Sequence, residues 1–246
     1  MTRGAIQSAR GLAHSKTWQT FGAAFLLVGN ALCFAADTSR TPGHDYDAPA
    51  PGTYALPVIK PAADGALVDS AGKSVRLTEL TRGRITVLSF IYTRCAAANA
   101  CPMATGVLLK LHRASATDAA LANMLCLVSI SFDPASDTPE RMKAYSALTA
   151  DYPTAAPWHF ATTYSRAELQ PILTAYGQVV DKKANPLDPA GPLNHNLCVF
   201  LVDAQGNIRN IYSSGTLDPR LVLADVRTLM LEPAQAGTHP AAKNSP

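Results

Sequence analysis

Three apolar runs organise the chain, at residues 85–92, 124–132 and 196–203. Each is too short for a typical helix and has few polar interruptions, the pattern of a strand buried on both faces. Between them the hydrophobic period changes. Met103, Val107, Leu111 and Ala114 form a helical stripe behind Pro102, a residue suited to the first position of a helix. Asp137 reads as the cap of a second helix reaching about residue 148, with Pro139 and Glu140 in its first turn. Ser165 and Glu168 form a capping box for a third, stopped by Gly177; Pro171 implies a kink or a later start near Glu168. Asp218-Pro219 opens a last helix ending near residue 231. Residues 158–160 read as a short strand. Alternating segments across 65–77 and a turn at 203–207 leading into 208–212 mark two hairpins. Residues 181–194, rich in Asp, Asn, Pro and Gly, read as a long loop.

Buried strand, helix, buried strand implies a parallel pair joined by a crossover, and the later hairpin must add antiparallel strands. The expectation is an α/β, thioredoxin-like fold: a central mixed sheet flanked by helices, with an extra N-terminal hairpin. Its centre is the three apolar runs lying side by side.

Length changes the picture at the ends. Of 246 residues, 56–232 read as this one domain, a normal single-core size. Residues 1–36 read as a signal peptide or N-terminal anchor. Arg3, Arg10 and Lys16 precede an apolar segment at 21–36, with small residues suited to cleavage after Ala35 or Ala36. The segment is marginal in length for a membrane span. Cys33 follows Asn30-Ala31-Leu32, a poor match to a lipidation box. The domain is therefore expected in the periplasm or elsewhere outside the cytoplasm, touching a membrane only through an uncleaved N-terminal segment. Residues 37–55 read as a linker or extended arm, with His44, Asp45 and Asp47 as solvated polarity, and 233–246 as a disordered tail. A formal net charge of +3 and the lack of a basic, aromatic-laced block argue against nucleic-acid binding.

The candidate chemistry lies where the first apolar run ends. Cys95 follows Tyr92-Thr93-Arg94, the small-residue loop 96–100 comes next, and Cys101-Pro102 opens the helix. Free N–H groups and the dipole at a helix N-terminus favour thiolate, which is both nucleophile and soft-metal ligand. A structural disulfide closing so short a loop would constrain the unfolded chain little. Cys126 and Cys198 lie within apolar runs and read as core thiols; Met103 reads as packing. His195 alone reads as a solvated loop residue.

Taken together, 90–95, Cys101-Pro102, Ser131-Phe132-Asp133-Pro134 with Asp137-Thr138-Pro139-Glu140, and Asn194-His195-Asn196 before 200–206 resemble the Sco/SenC family of copper-binding, thioredoxin-like proteins. The resemblance covers roughly residues 55–230. It implies copper as the cofactor, Cu(I) or alternatively Cu(II), held by Cys95, Cys101 and His195, with Asp133 behind them orienting His195 or tuning charge. The commonest family spacing has three residues between the cysteines; here there are five, Ala96-Ala97-Ala98-Asn99-Ala100. The implied function is an extracytoplasmic metallochaperone in copper homeostasis or delivery, with a copper-acceptor protein such as a cytochrome oxidase subunit as partner. The competing expectation is a thiol–disulfide reductase using Cys95 and Cys101 as a redox pair. A peroxidatic site is disfavoured, because no Thr-x-x-Cys arrangement precedes Cys95.

Overall fold

The structure is a computed structural model describing residues 46–232. The readings of 1–36 as signal or anchor, of 37–45 as linker and of 233–246 as tail lie outside the described residues. Two fully buried strands form the centre, β4 (Ile85–Ile91) and β5 (Leu125–Ser131). They run parallel, and β6 (Trp158–Thr162) continues the parallel set beside β5. β9 (Val199–Val202) lies antiparallel to β4 on the other side, followed outward by β10 (Asn207–Tyr212) and the short β1 (Lys60–Pro61). Beyond β6 the N-terminal hairpin of β2 (Ala66–Asp69) and β3 (Ser74–Arg76) completes an eight-stranded mixed sheet. The three apolar runs are thus adjacent, as expected.

Alternation along the strands splits the core in two. Val87, Leu127 and Leu201 pack against Val107 and Leu111 of α2 (Cys101–Ala116) and Val222 and Val226 of α6 (Pro219–Leu231). Leu88, Phe90, Val128, Ile130 and Phe200 pack with Leu169 and Leu173 of α5 (Arg166–Ala175) and Met142 of α4 (Pro139–Tyr145). Ser165 caps α5, and Pro171 is accommodated inside the helix.

Several elements differ from the sequence expectation. Two short helices, α1 (Leu77–Thr81) and α3 (Ala119–Met124), occupy segments read as connections, and β5 accordingly starts one residue later. The loop 181–194 is not open. Its ends pair as a two-stranded ribbon, β7 (Val180–Lys182) with β8 (Leu193–His195), and β9 correspondingly begins only at Val199. Cys198 therefore precedes β9 and is half-buried, whereas Cys126 is buried within β5. Asp137 does not cap α4; Thr138 does, accepting from the Arg141 N–H. Finally, the described part of the 37–55 arm lies along α6. Tyr54 donates to the Asp225 carboxylate, which also accepts from Tyr212 and Asn210, and the Gly52 N–H donates to Thr228.

A candidate metal centre at the carboxyl end of the central strands

β4 and β5 leave the sheet at the same end, the place where an open α/β sheet presents its loops to ligands. Beyond β4 the chain turns through Tyr92, Thr93 and Arg94 to Cys95, and the Cys95 N–H donates to the Tyr92 carbonyl at 3.1 Å. Asp137, fully buried, fixes this turn. Its carboxylate accepts from the Thr93 N–H at 2.9 Å, the Thr93 hydroxyl at 2.5 Å and the Ser131 hydroxyl at 2.6 Å. The small-residue loop then returns to Cys101, the first residue of α2, with Pro102 behind it where no N–H partner is required. Cys101 is buried and Cys95 half-buried; both are free thiols.

The third component arrives from the ribbon. His195 is the last residue of β8, paired with Val180 of β7. Arg166 ties the ribbon to the end of β5 by donating to both the Val180 and Phe132 carbonyls, at 3.0 and 3.3 Å. The imidazole is tilted against the Phe132 ring, centroids 4.8 Å apart, and stands edge-on to Tyr92 at 5.5 Å. Its Nε2 lies 3.4 Å from Cys101 Sγ and 4.0 Å from Cys95 Sγ. One ligand-type atom from each of the three residues falls within 4.8 Å of the others. His195 Nδ1 is buried without a hydrogen-bond partner among the described residues. Besides the two sulfurs at Nε2, the ring rests on its contacts with Tyr92 and Phe132. One edge of the site forms the wall of a polar groove of about 290 Å³, lined by Asn99, Lys183, Asn194 and Ser214.

The two thiols share their protons unequally. Cys101 donates to the Cys95 sulfur, and His195 together with the Cys101 and Ala97 backbone N–H groups adds to this, so Cys95 is held well below the ordinary thiol value against the opposing effect of burial. Cys101 is pushed far above it by the same bond to Cys95 and by burial. The two sulfurs and the imidazole face a common point. Burial and the neighbouring Cys95 charge push the Tyr92 phenol up to about 12.

Of the two roles expected of Asp133, orienting His195 has no hydrogen bond behind it among the described residues. The Asp133 carboxylate pairs with the Arg94 guanidinium at 2.8 Å. It anchors the side chain next to Cys95 and reaches the site only through that pair. Asp137, Tyr92 and Arg166 do the positioning. Of these, Asp137 carried a sequence signal, but it was read as a helix cap.

The fold and this cluster together define a class: a thioredoxin-like domain with two cysteines and a histidine converging at the carboxyl end of its central strands. The chain belongs to the SCO1/SenC family, whose model matches residues 62–231. A SCO1 protein homolog of Bacillus subtilis is 27% identical over 144 residues, 58% of this chain and 68% of that protein. The crystal structure of a SCO1/SenC family lipoprotein from Bacillus anthracis is 25% identical with a TM-score of 0.57, over 70% of this chain and 95% of that one. Bradyrhizobium japonicum ScoI, solved with copper bound, is 25% identical with a TM-score of 0.53, over 67% of this chain and 97% of that one. Among the described residues no helix is long and apolar enough to cross a membrane.

Proposed function

We propose that this protein is an extracytoplasmic metallochaperone that takes Cu(I) through Cys95, Cys101 and His195 and passes it to an acceptor, with a cytochrome oxidase copper centre as the leading candidate. The supporting observation is the convergence of the two sulfurs and Nε2. For bonds of about 2.3 Å to sulfur and 2.05 Å to nitrogen, by analogy with zinc, a trigonal set needs S···N separations of about 3.8 Å. The separations are 3.4 and 4.0 Å, so an ion fits with small side-chain adjustments. The donors also match: thiolate and imidazole suit soft Cu(I), and copper binding in a ScoI relative of this family agrees with the assignment. In this reading Cu(I) is cargo. Cys101 loses its thiol proton as the ion enters, and a site built from three ligands leaves room for an acceptor ligand to attack and displace them one at a time.

The unequal thiols favour a second reading, reduction of a partner's disulfide. The Cys95 thiolate attacks one partner sulfur, forming a mixed disulfide and expelling the other as thiolate. Cys101 then loses its proton and attacks Cys95 Sγ, releasing the partner's second thiolate and leaving a Cys95–Cys101 disulfide, two electrons having passed to the partner.

Anaerobic Cu(I) titration of the reduced protein against a competing chelator tests the first reading, and His195→Ala separates the two. One ion per chain is expected. The variant should lose at least tenfold in Cu(I) affinity while its rate of reducing a model disulfide changes less than threefold. Loss of disulfide exchange with unchanged Cu(I) affinity would reverse the ranking.

A further inference from the structure

One edge of the β7–β8 ribbon is open. The Lys183 N–H donates to the Pro192 carbonyl at 2.8 Å, and from there the pairing runs back as Lys182 with Leu193, Asp181 with Asn194 and Val180 with His195. Antiparallel bonding alternates, so Asp181 turns its N–H and C=O to β8, while those of Lys182 and Val180 point to the outer side. Arg166 takes the Val180 carbonyl there, at 3.0 Å. Among the described residues no hydrogen bond from beyond the ribbon reaches the main chain of Lys182. All three β7 residues, with Arg166, line a groove of about 540 Å³, a size typical of ligand sites. Phe132, Pro134, Val180 and Leu193 supply its apolar lining, and Tyr164, which also lines it, is 64% exposed. Its charged residues are Asp133, Asp181, Arg166 and Lys182, two of each sign, so the lining has no net charge. The groove borders the metal centre. The Phe132 ring packs on the His195 imidazole, and Leu193 also lines the polar groove beside the site.

We propose that this groove receives an extended, uncharged segment of the copper-accepting protein as a third strand on β7. An open main-chain edge selects another main chain, because a strand presents C=O and N–H groups at the spacing that meets it. In an antiparallel pairing the residue opposite Lys182 exchanges two hydrogen bonds with it. Alternate side chains of the segment then turn toward Phe132 and Leu193, which favours apolar residues at every second position. The balanced charge of the lining offers a strongly charged segment no counterpart. With only three residues, two of them the exposed Asp181 and Lys182, the edge admits one short segment and resists open-ended sheet growth. A segment docked there is one ring away from His195, so the acceptor's own ligands meet the ion at a high effective concentration. This inference rests on the delivery reading above and adds where the acceptor is held.

The experiment follows Cu(I) transfer from the reduced, loaded full chain to the reduced, metal-free copper domain of a cytochrome oxidase subunit, over a range of concentrations of that domain. Lys182→Pro is the decisive variant. It removes an N–H that β8 does not use and puts a proline ring on the open edge, so the ribbon keeps its ladder. It should raise the half-saturating domain concentration about fivefold or more, the worth of one net hydrogen bond, with Cu(I) affinity within twofold of wild type. Lys182→Ala keeps the N–H and should transfer like wild type. Tyr164→Ala, on an exposed side chain, should raise half-saturation about threefold or more and serves if the proline variant folds poorly. In the wild type the Lys182 amide should exchange more slowly when the domain is added, and half-saturation should change little with salt. Half-saturation unchanged in both Lys182→Pro and Tyr164→Ala, with no slowing at Lys182, would refute the groove while delivery stands. A wild type that binds Cu(I) but passes none to the domain overturns the delivery reading, and the groove with it.

Discussion

At the scale of single residues, the site depends on a carboxylate that never reaches it. Asp137 accepts three hydrogen bonds in a fully buried place, two of them from Thr93, two residues before Cys95. Removing it strands those donors away from water. Asp137→Ala is expected to cost about 2–4 kcal/mol in urea unfolding and to loosen the turn that aims Cys95. Cu(I) affinity should fall roughly tenfold or more, as it does when the partners behind metal ligands are lost. Asp137→Asn keeps one acceptor oxygen and should lose less on both measures. An unfolding midpoint unchanged in the alanine variant would mean that water or a rearranged turn satisfies Thr93 and Ser131. Placement at the end of an apolar run and the start of a helix singled out Cys95 and Cys101, whereas His195 was reached only because the motifs around it resemble a family. Spacing alone left His195 a loop residue about a hundred positions away. The resemblance offered Asp133 as orienting His195 or tuning charge, and the structure pairs it with Arg94, the residue before Cys95. A partner four residues along the fold cannot be chosen from residue type alone when two carboxylates, Asp133 and Asp137, stand in one turn.

Among the elements, legibility followed length. The buried strands and the longer helices α2, α5 and α6 were readable because their periods run over many residues. α1 and α3 are too short for a period, and β7 and β8 are three-residue strands whose pairing depends on Arg166 and on the packing beneath them. The short α1 is held instead by Asp64. Burial opposes charge on this carboxyl, but the Arg76 guanidinium at 2.6 Å and the N–H groups of Thr78 and Gly65 outweigh it and hold its pKa below the ordinary 3.8. The sign follows. The folded state releases this proton more readily than the unfolded state, so the stabilisation is complete above the unfolded value near ~4 and is lost as pH falls through the depressed folded value. Urea midpoints compared between wild type and Asp64→Asn should converge as the buffer passes below ~pH 4, the wild type being more stable only above it. A constant gap across that range would assign the contribution to shape rather than charge.

For the whole molecule, the sheet gathers into one place groups that different redox conditions would use differently. Cu(I) needs both sulfurs as thiolates, and a disulfide offers it none. The sulfurs of Cys95 and Cys101 lie within 4.8 Å of each other, joined by a loop whose residues 96–100 have only small side chains to resist closing to a bonded 2.05 Å, roughly the disulfide length. The Cys95 thiolate is the attacking sulfur such a closure needs. The other two thiols among the described residues are Cys126 and Cys198. Cys126 is buried inside β5, where burial pushes it up to about 12, and Cys198 is packed against the core. If the domain works outside the cytoplasm, as proposed, it meets conditions that favour oxidation. The expectation is a reversible Cys95–Cys101 disulfide that switches copper binding off. Peptide mapping by mass spectrometry after mild oxidation should find that link and no other. Cu(I) titration of the oxidised protein should show the high-affinity site missing, and reduction with a phosphine should restore it. Oxidised protein that bound Cu(I) as tightly as the reduced form would move the ligands away from these two sulfurs, and the metallochaperone assignment of this site would fall even though the fold and family remain.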